Sequence, residues 1–149
     1  MDYGSLNHLF VMTSHLHFRS TICRFIEHGV GEGQPKILFT LRDEDGVSQA
    51  ELARQCHLEP ATVTATLCRM EKAALIERRA DKQDLRVTRV FLTDAGRELT
   101  ATLDRLNDEI GAECFSGFSD DERQQMAQFY DRMRDNMERA RAAKREGDK

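Results

Sequence analysis

The side chains best suited to chemistry lie together in residues 47–93, and the chemistry they suit is hydrogen bonding to a polyanion, not bond making. On a helix expected over 60–73, Ala61, Thr62, Thr64, Ala65, Thr66 and Arg69 share a face that is small, hydroxylated and basic. Side chains of this kind approach phosphates and base edges closely. Thr64 and Thr66 suit phosphates, whereas Thr62, Ala65 and Arg69 suit base edges. Ser48 and Gln49 open the helix before it, and Arg79, Lys82, Asp84 and Arg86 follow around a charged tip. Threonines on a helix face are, taken alone, equally a solvated surface; the flanking elements decide for contact. No activated nucleophile, phosphate-cradling loop or paired-carboxylate motif occurs, so an enzyme is not expected. His8, His15, His17 and His28 lack convergent ligand spacing, which argues against a metal site. Cys23, Cys56, Cys68 and Cys114 are widely spaced and fit reduced thiols better than a disulfide framework. Cys56 and Cys68 fall on packing positions, and redox sensing at Cys23 would need an electropositive, accessible setting. No cofactor is expected.

The elements that must position these side chains are legible. Ser48-Gln49-Ala50-Glu51 is an S-x-x-E capping box, followed by Leu52, Ala53 and Cys56 at helical spacing. After a short link, Pro60 suits the first position of the next helix, because its φ is fixed and its missing N–H has no partner there. Val63, Leu67, Met70 and Ala74 step by one face of that helix, so this face packs. Residues 76–79 and 87–92 alternate apolar and charged side chains, which predicts two strands around the polar tip 80–86. Thr93 caps another helix, with Asp94 at its positive end. Helix, turn, helix and projecting hairpin read as a winged helix-turn-helix, which places one helix in the DNA major groove and a β-ribbon beside it.

These residues carry a family resemblance. Ser48–Leu52, Thr62-Val63-Thr64, Leu75-Ile76-Glu77-Arg78, Asp84-x-Arg86 and Leu92-Thr93-x-x-Gly96 resemble MarR-type regulators, and they follow one another at that family's usual distances. One long helix before the module and two after it are similar too. The resemblance implies a minor-groove role for Arg86, with Asp84 as the carboxylate that orients it. It also implies interlocked first and last helices in a dimer. The chain departs from the pattern in three places. Ala74 stands where a glycine usually ends the recognition helix, which leaves its cap geometry open. Leu85 replaces a common basic residue, and Glu59 is a poorer N-cap than Ser or Asp.

The fold class expected is mainly α with a small β-hairpin wing: one domain over 1–149, with 47–93 as the DNA module and 5–46 and 94–145 as helical dimerisation regions. Apolar residues make up 40% of 149, enough for one sizeable core. No run approaches a membrane span and no basic n-region precedes an apolar stretch, so a cytoplasmic protein is expected. The net charge of −4 is unevenly spread. Residues 47–92 hold 8 basic and 6 acidic residues, while both flanks are acidic. Phosphates respond to the local field within about 10 Å, so an acidic remainder is tolerated.

The flanking helices are richer in apolar residues than such a small module needs. Leu6, Leu9, Phe10, Leu16, Phe18, Ile22, Phe25 and Ile26 wrap the first, and Leu99, Leu103, Leu106 and Ile110 step along the fifth. Met126, Phe129, Tyr130, Met133 and Met137 line the last, opened by a second capping box at Ser119 and Glu122; the charged end from about Arg141 is expected to fray. Self-association follows, and a two-fold dimer suits a pseudo-palindromic double-stranded operator. In the family resembled, small aromatic or anionic effectors bind between dimer helices and DNA module. Here His15, Arg19, Phe39 and Arg42 are the candidates for such a pocket, with ordinary inter-helix contacts as the equal alternative. Two other readings compete: a redox- or metal-responsive regulator of the same fold, and a winged-helix protein-interaction module that binds no DNA.

Overall fold

In a computed structural model that describes residues 1–147, helices and one hairpin follow in order: α1 (Tyr3–Glu27), α2 (Gln34–Asp43), α3 (Gln49–Gln55), α4 (Pro60–Lys72), β1 (Ile76–Ala80), β2 (Thr88–Leu92), α5 (Asp94–Cys114) and α6 (Asp120–Gly147). Mainly helical content with one small hairpin is the fold class expected. Positions 148 and 149 of the expected charged tail lie outside the described residues. The chain falls into two compact units, Met1–Ile110 and a second beginning at Gly111.

In the first unit, α2, α3, α4 and the hairpin close over one core. Ile37, Leu38 and Leu41 of α2 meet Leu52 of α3, Val63, Leu67 and Met70 of α4, Val90 of β2 and Leu103 of α5, all fully buried. The hairpin is antiparallel with Ile76 opposite Leu92 and Arg78 opposite Val90. Period-two alternation therefore sends Ile76, Val90 and Leu92 inward and leaves Arg79 and Arg89 on the outer side. Ser48 and Arg89 form an isolated bridge that ties the start of α3 to the wing.

The helix starts follow the sequence closely. Ser48 Oγ accepts from the Glu51 N–H at 3.1 Å, and Thr93 Oγ1 accepts from the Gly96 N–H at 3.0 Å. The capping box at Ser48 is nevertheless half made. The Glu51 carboxylate does not reach back; Arg54 and Gln55 take it instead. In the second unit, Ser119 and Glu122 do form the reciprocal pair, each N–H donating to the other's side chain. There α6 continues to Gly147, past the expected fraying point near Arg141, because Ala, Arg, Lys and Glu are strong helix formers.

Three helices in the first unit end the same way. After α1, Val30 N–H donates to Phe25 C=O and Gly29 N–H to Ile26 C=O, with Gly29 at φ 76°. After α3, Leu58 bonds to Ala53 and His57 to Arg54, with His57 at φ 52°. After α4, Leu75 bonds to Met70 and Ala74 to Glu71, with Ala74 at φ 56°. This is the Schellman pattern, which satisfies carbonyls left over at a helix end. The left-handed cap of α4 is thus kept although glycine is absent. It also corrects the expectation that Ala74 packs: the helix has ended and Ala74 is exposed.

Candidate nucleic-acid interface

Local packing decides which side chains of α4 face outward. Val63, Thr66, Leu67 and Met70 are buried, so Ala61, Thr62, Thr64, Ala65 and Arg69 form the exposed face. Thr66 is therefore a correction to the sequence reading. At 1% exposure it is not free to touch a phosphate. Its Oγ1 accepts from Arg69 Nη2 at 3.2 Å, so it holds the guanidinium that remains outside. Helical spacing alone put Thr66 beside Thr62, but the core reaches one residue further round α4 than the apolar side chains suggested.

Thr64 and Gln49 act as a unit. The Thr64 hydroxyl donates to Pro60 C=O at 2.9 Å and accepts from Gln49 Nε2 at 2.6 Å. Its single proton is spent, so a phosphate near this pair meets the remaining amide N–H of Gln49 instead. Ser48 is occupied with capping α3. The Glu51 carboxyl is lowered to about 2 by hydrogen bonds from Arg54 first and Gln55 second, and stays charged beside the site.

The wing sorts its cations by pairing. Arg78 pairs with Glu71, and its Nη2 lies 3.8 Å from Cys68 Sγ. Arg79 pairs with Glu77 and lies 4.8 Å over the Phe91 ring. Arg89 pairs with Asp81 and donates to Gly46 C=O at 2.9 Å. Lys82 and Arg86 are exposed, and among the described residues neither side chain meets a carboxylate. The expected partnership of Asp84 and Arg86 takes a different form. Asp84 Oδ1 accepts from the main-chain N–H of Arg86 at 3.0 Å, so it fixes the backbone and not the guanidinium.

Sequence reasoning missed Asp81. Its Oδ1 accepts from the N–H groups of Gln83 and Asp84 at 2.8 and 2.9 Å, while Oδ2 takes Arg89. Arg89 first, then these two amides, lower its carboxyl to about 2. The signal was present: an Asp opening a polar tip commonly bonds the backbone two residues on.

Of the four effector candidates, Phe39 and Arg42 stand together on α2. Phe39 stacks edge-on against Phe25 with centroids 6.3 Å apart, and Arg42 lies 5.2 Å over Phe39 while pairing with Asp43 and Asp104. His15 and Arg19 are exposed on α1, roughly 15 and 9 Å along the helix from Phe25 at its usual rise. Among the described residues no group of three or more His, Cys, Asp or Glu could hold a metal ion. All four cysteines are free, with Cys56 buried and Cys23 exposed. No helix of the described residues is long and apolar enough to cross a membrane.

Comparison with known proteins agrees with this geometry. A family model described as the MarR family matches residues 32–88. The HTH-type transcriptional regulator TtmR of Methylorubrum extorquens is 32% identical over 74% of this chain. A crystal structure of MarR superposes with a TM-score of 0.79 at 27% identity, covering 95% of this chain and 97% of that one. A MepR–DNA complex from S. aureus superposes at 0.75 and 26% identity, covering 88% and 95%. The chain spans only 66% and 55% of the length of two curated regulators that it matches.

Proposed function

This chain belongs to the MarR family of transcriptional regulators, and from that premise we propose that it binds a pseudo-palindromic double-stranded operator as a homodimer and represses transcription from it. The family and the relatives are regulators, not enzymes. The observation that carries the proposal is the exposed face of α4 lying in one module with two wing cations, Lys82 and Arg86, that no carboxylate of the described chain neutralises. The exposed helix face enters the major groove, and the hairpin carries Arg86 to the neighbouring minor groove.

Unsatisfied apolar surface supports the homodimer. Leu6, Leu9, Leu16 and Phe18 on α1 are more than half exposed, as are Phe129 and Met137 on α6. A second copy covering these side chains gives a dimer with two recognition helices about 34–36 Å apart. Repression follows from occupancy alone and needs no further contact surface. For effector control by a small aromatic or anionic molecule, the support is the Phe39–Arg42 pair, a ring with a cation over it. Such a ligand would compete with Asp104 for Arg42.

Fluorescence anisotropy tests the proposal, using duplex enriched from a random library by the purified protein. Affinity is expected to fall with salt, and Arg86→Ala is expected to cost roughly 1–3 kcal/mol, with a smaller loss for Lys82→Ala. No salt-dependent duplex binding overturns it in favour of a protein-interaction module, and salt-dependent binding unchanged by Arg86→Ala overturns the role given to the wing.

A further inference from the structure

We propose that Leu85 is a minor-groove contact that makes the protein favour A·T over G·C pairs beneath the wing, an inference that rests on the DNA-binding reading above. Among the described residues between Val47 and Thr93, Leu85 is the one large apolar side chain left exposed, at 82%. The others of that kind lie at Met1, on α1 and beyond α5.

The backbone around Leu85 is held firmly. Asp81 N–H donates to Val87 C=O and Val87 N–H to Asp84 C=O, at 2.8 and 2.9 Å. Asp81 and Asp84 carboxylates take the amides of Gln83, Asp84 and Arg86. On this turn the leucine side chain stands clear of its own chain. Its exposure is a feature of the built tip, and it is relieved only when something covers it.

The surroundings say what covers it. Lys82 and Arg86 flank Leu85, and with Arg89, which pairs with Asp81, residues 81–89 hold three cations against the two carboxylates of Asp81 and Asp84, a net of one positive charge. One isolated leucine among cations is too small an apolar patch to hold a protein partner. It does fit a groove whose walls are deoxyribose C–H groups and whose rims are phosphates. The minor-groove floor differs between pairs at one group: G·C presents the guanine N2 amino donor, which A·T lacks. A leucine pressed over that amino group displaces its water and offers no acceptor, which is unfavourable. Over A·T it meets the bare adenine C2–H. Apolar side chains, leucine among them, do enter minor grooves of other DNA-binding proteins, there as wedges between base steps.

The experiment uses the full chain and duplex enriched from a random library, with hydroxyl-radical protection locating the minor-groove pairs under the wing. Those pairs are then set to G·C or to inosine·cytosine, which removes the amino group and leaves the major-groove pattern intact. The parent should bind the inosine duplex roughly fivefold or more tightly. Leu85→Ala should bring that ratio close to one without changing the salt dependence, while Arg86→Ala should weaken both duplexes alike. A parent ratio near one, or a ratio that Leu85→Ala preserves, overturns the inference and leaves the regulator reading standing. A parent that binds no duplex in a salt-dependent way overturns both.

Discussion

Replacing Ala74 with glycine should stabilise the protein, although it removes a methyl group. Ala74 sits at φ 56° after α4, where a Cβ crowds the following carbonyl at a cost of about 1–2 kcal/mol. Glycine removes that strain. Its Cβ loss forfeits little burial, because Ala74 is exposed. The hydrogen bonds are main-chain and persist: Ala74 N–H donates to Glu71 C=O at 2.9 Å, and Ala74 C=O accepts from Thr93 Oγ1 at 2.6 Å. Against the gain stands the greater freedom of glycine in the unfolded chain, about 0.4–1 kcal/mol. The net is a stabilisation of roughly 0.5–1 kcal/mol. With a urea slope of about 2 kcal/mol per molar, the midpoint should rise by roughly 0.3–0.5 M. Ala74→Val serves as the opposite arm, since a β-branched residue is a genuine outlier at positive φ and should lower the midpoint. Both are measured by far-UV circular dichroism at one fixed protein concentration, because association adds to apparent stability. A glycine variant no more stable than the parent, with the valine variant unharmed, would refute a left-handed cap at this position.

Gly96→Ala should destabilise, since its Cβ would stand 2.0 Å from Leu75 C=O, an oxygen that also accepts from the Thr93 N–H; after crediting about 1 kcal/mol of helix propensity, a loss of about 2 kcal/mol or more is expected in urea. Asp81→Asn should flatten the acid limb of stability. With the parent carboxyl lowered to about 2, its contribution is complete above the ordinary carboxylate range and disappears as pH falls through about 2. Glu51 titrates over the same window in both proteins, so an acid limb equally steep in the variant would count against the Asp81 clamp. Phe129→Glu should shift the protein toward monomer in sedimentation at micromolar concentration while helix content holds, because Phe129 is half exposed in one chain; an unchanged dimer mass would count against α6 as interface.

Much of this architecture was legible because each element announces itself through a local rule. Ser48, Pro60, Thr93 and Ser119 mark helix starts by side-chain chemistry acting within one turn, and the structure uses all four. Helix ends were harder where glycine is absent. His57 and Ala74 adopt left-handed backbone only because the Schellman bonds and the next packed residue, Leu58 or Leu75, hold them there. The interface was legible as a region but not residue by residue. Whether Thr66 faces core or groove depends on how α4 is rotated against Ile37, Leu38 and Leu41, which lie some thirty positions earlier in the chain. The roles of Asp81 and Asp84 likewise depend on the three-dimensional turn.

The charge of the DNA module shows how a sequence count and a structure differ in what they predict. Of the eight basic residues in 47–92, Arg54, Arg78, Arg79 and Arg89 are each paired with an acid of the same module. Those pairs consume four of its six acids, leaving Arg69, Lys72, Lys82 and Arg86 against Glu59 and Asp84. The net of +2 is unchanged, but the cations that can replace counterions on a phosphate without first breaking an ion pair number four per chain. Two copies supply about eight, so log affinity against log salt should slope no more steeply than about −7. In the wing, Arg89 ties Asp81 to the Gly46 carbonyl, and moving its guanidinium onto a phosphate would cost both contacts. A slope far steeper than −7 would mean that these pairs do open on DNA, and that the wing is rebuilt as it binds. A slope at or below this limit, lost in part with Arg86→Ala, would mean that the wing binds DNA in the conformation it already holds.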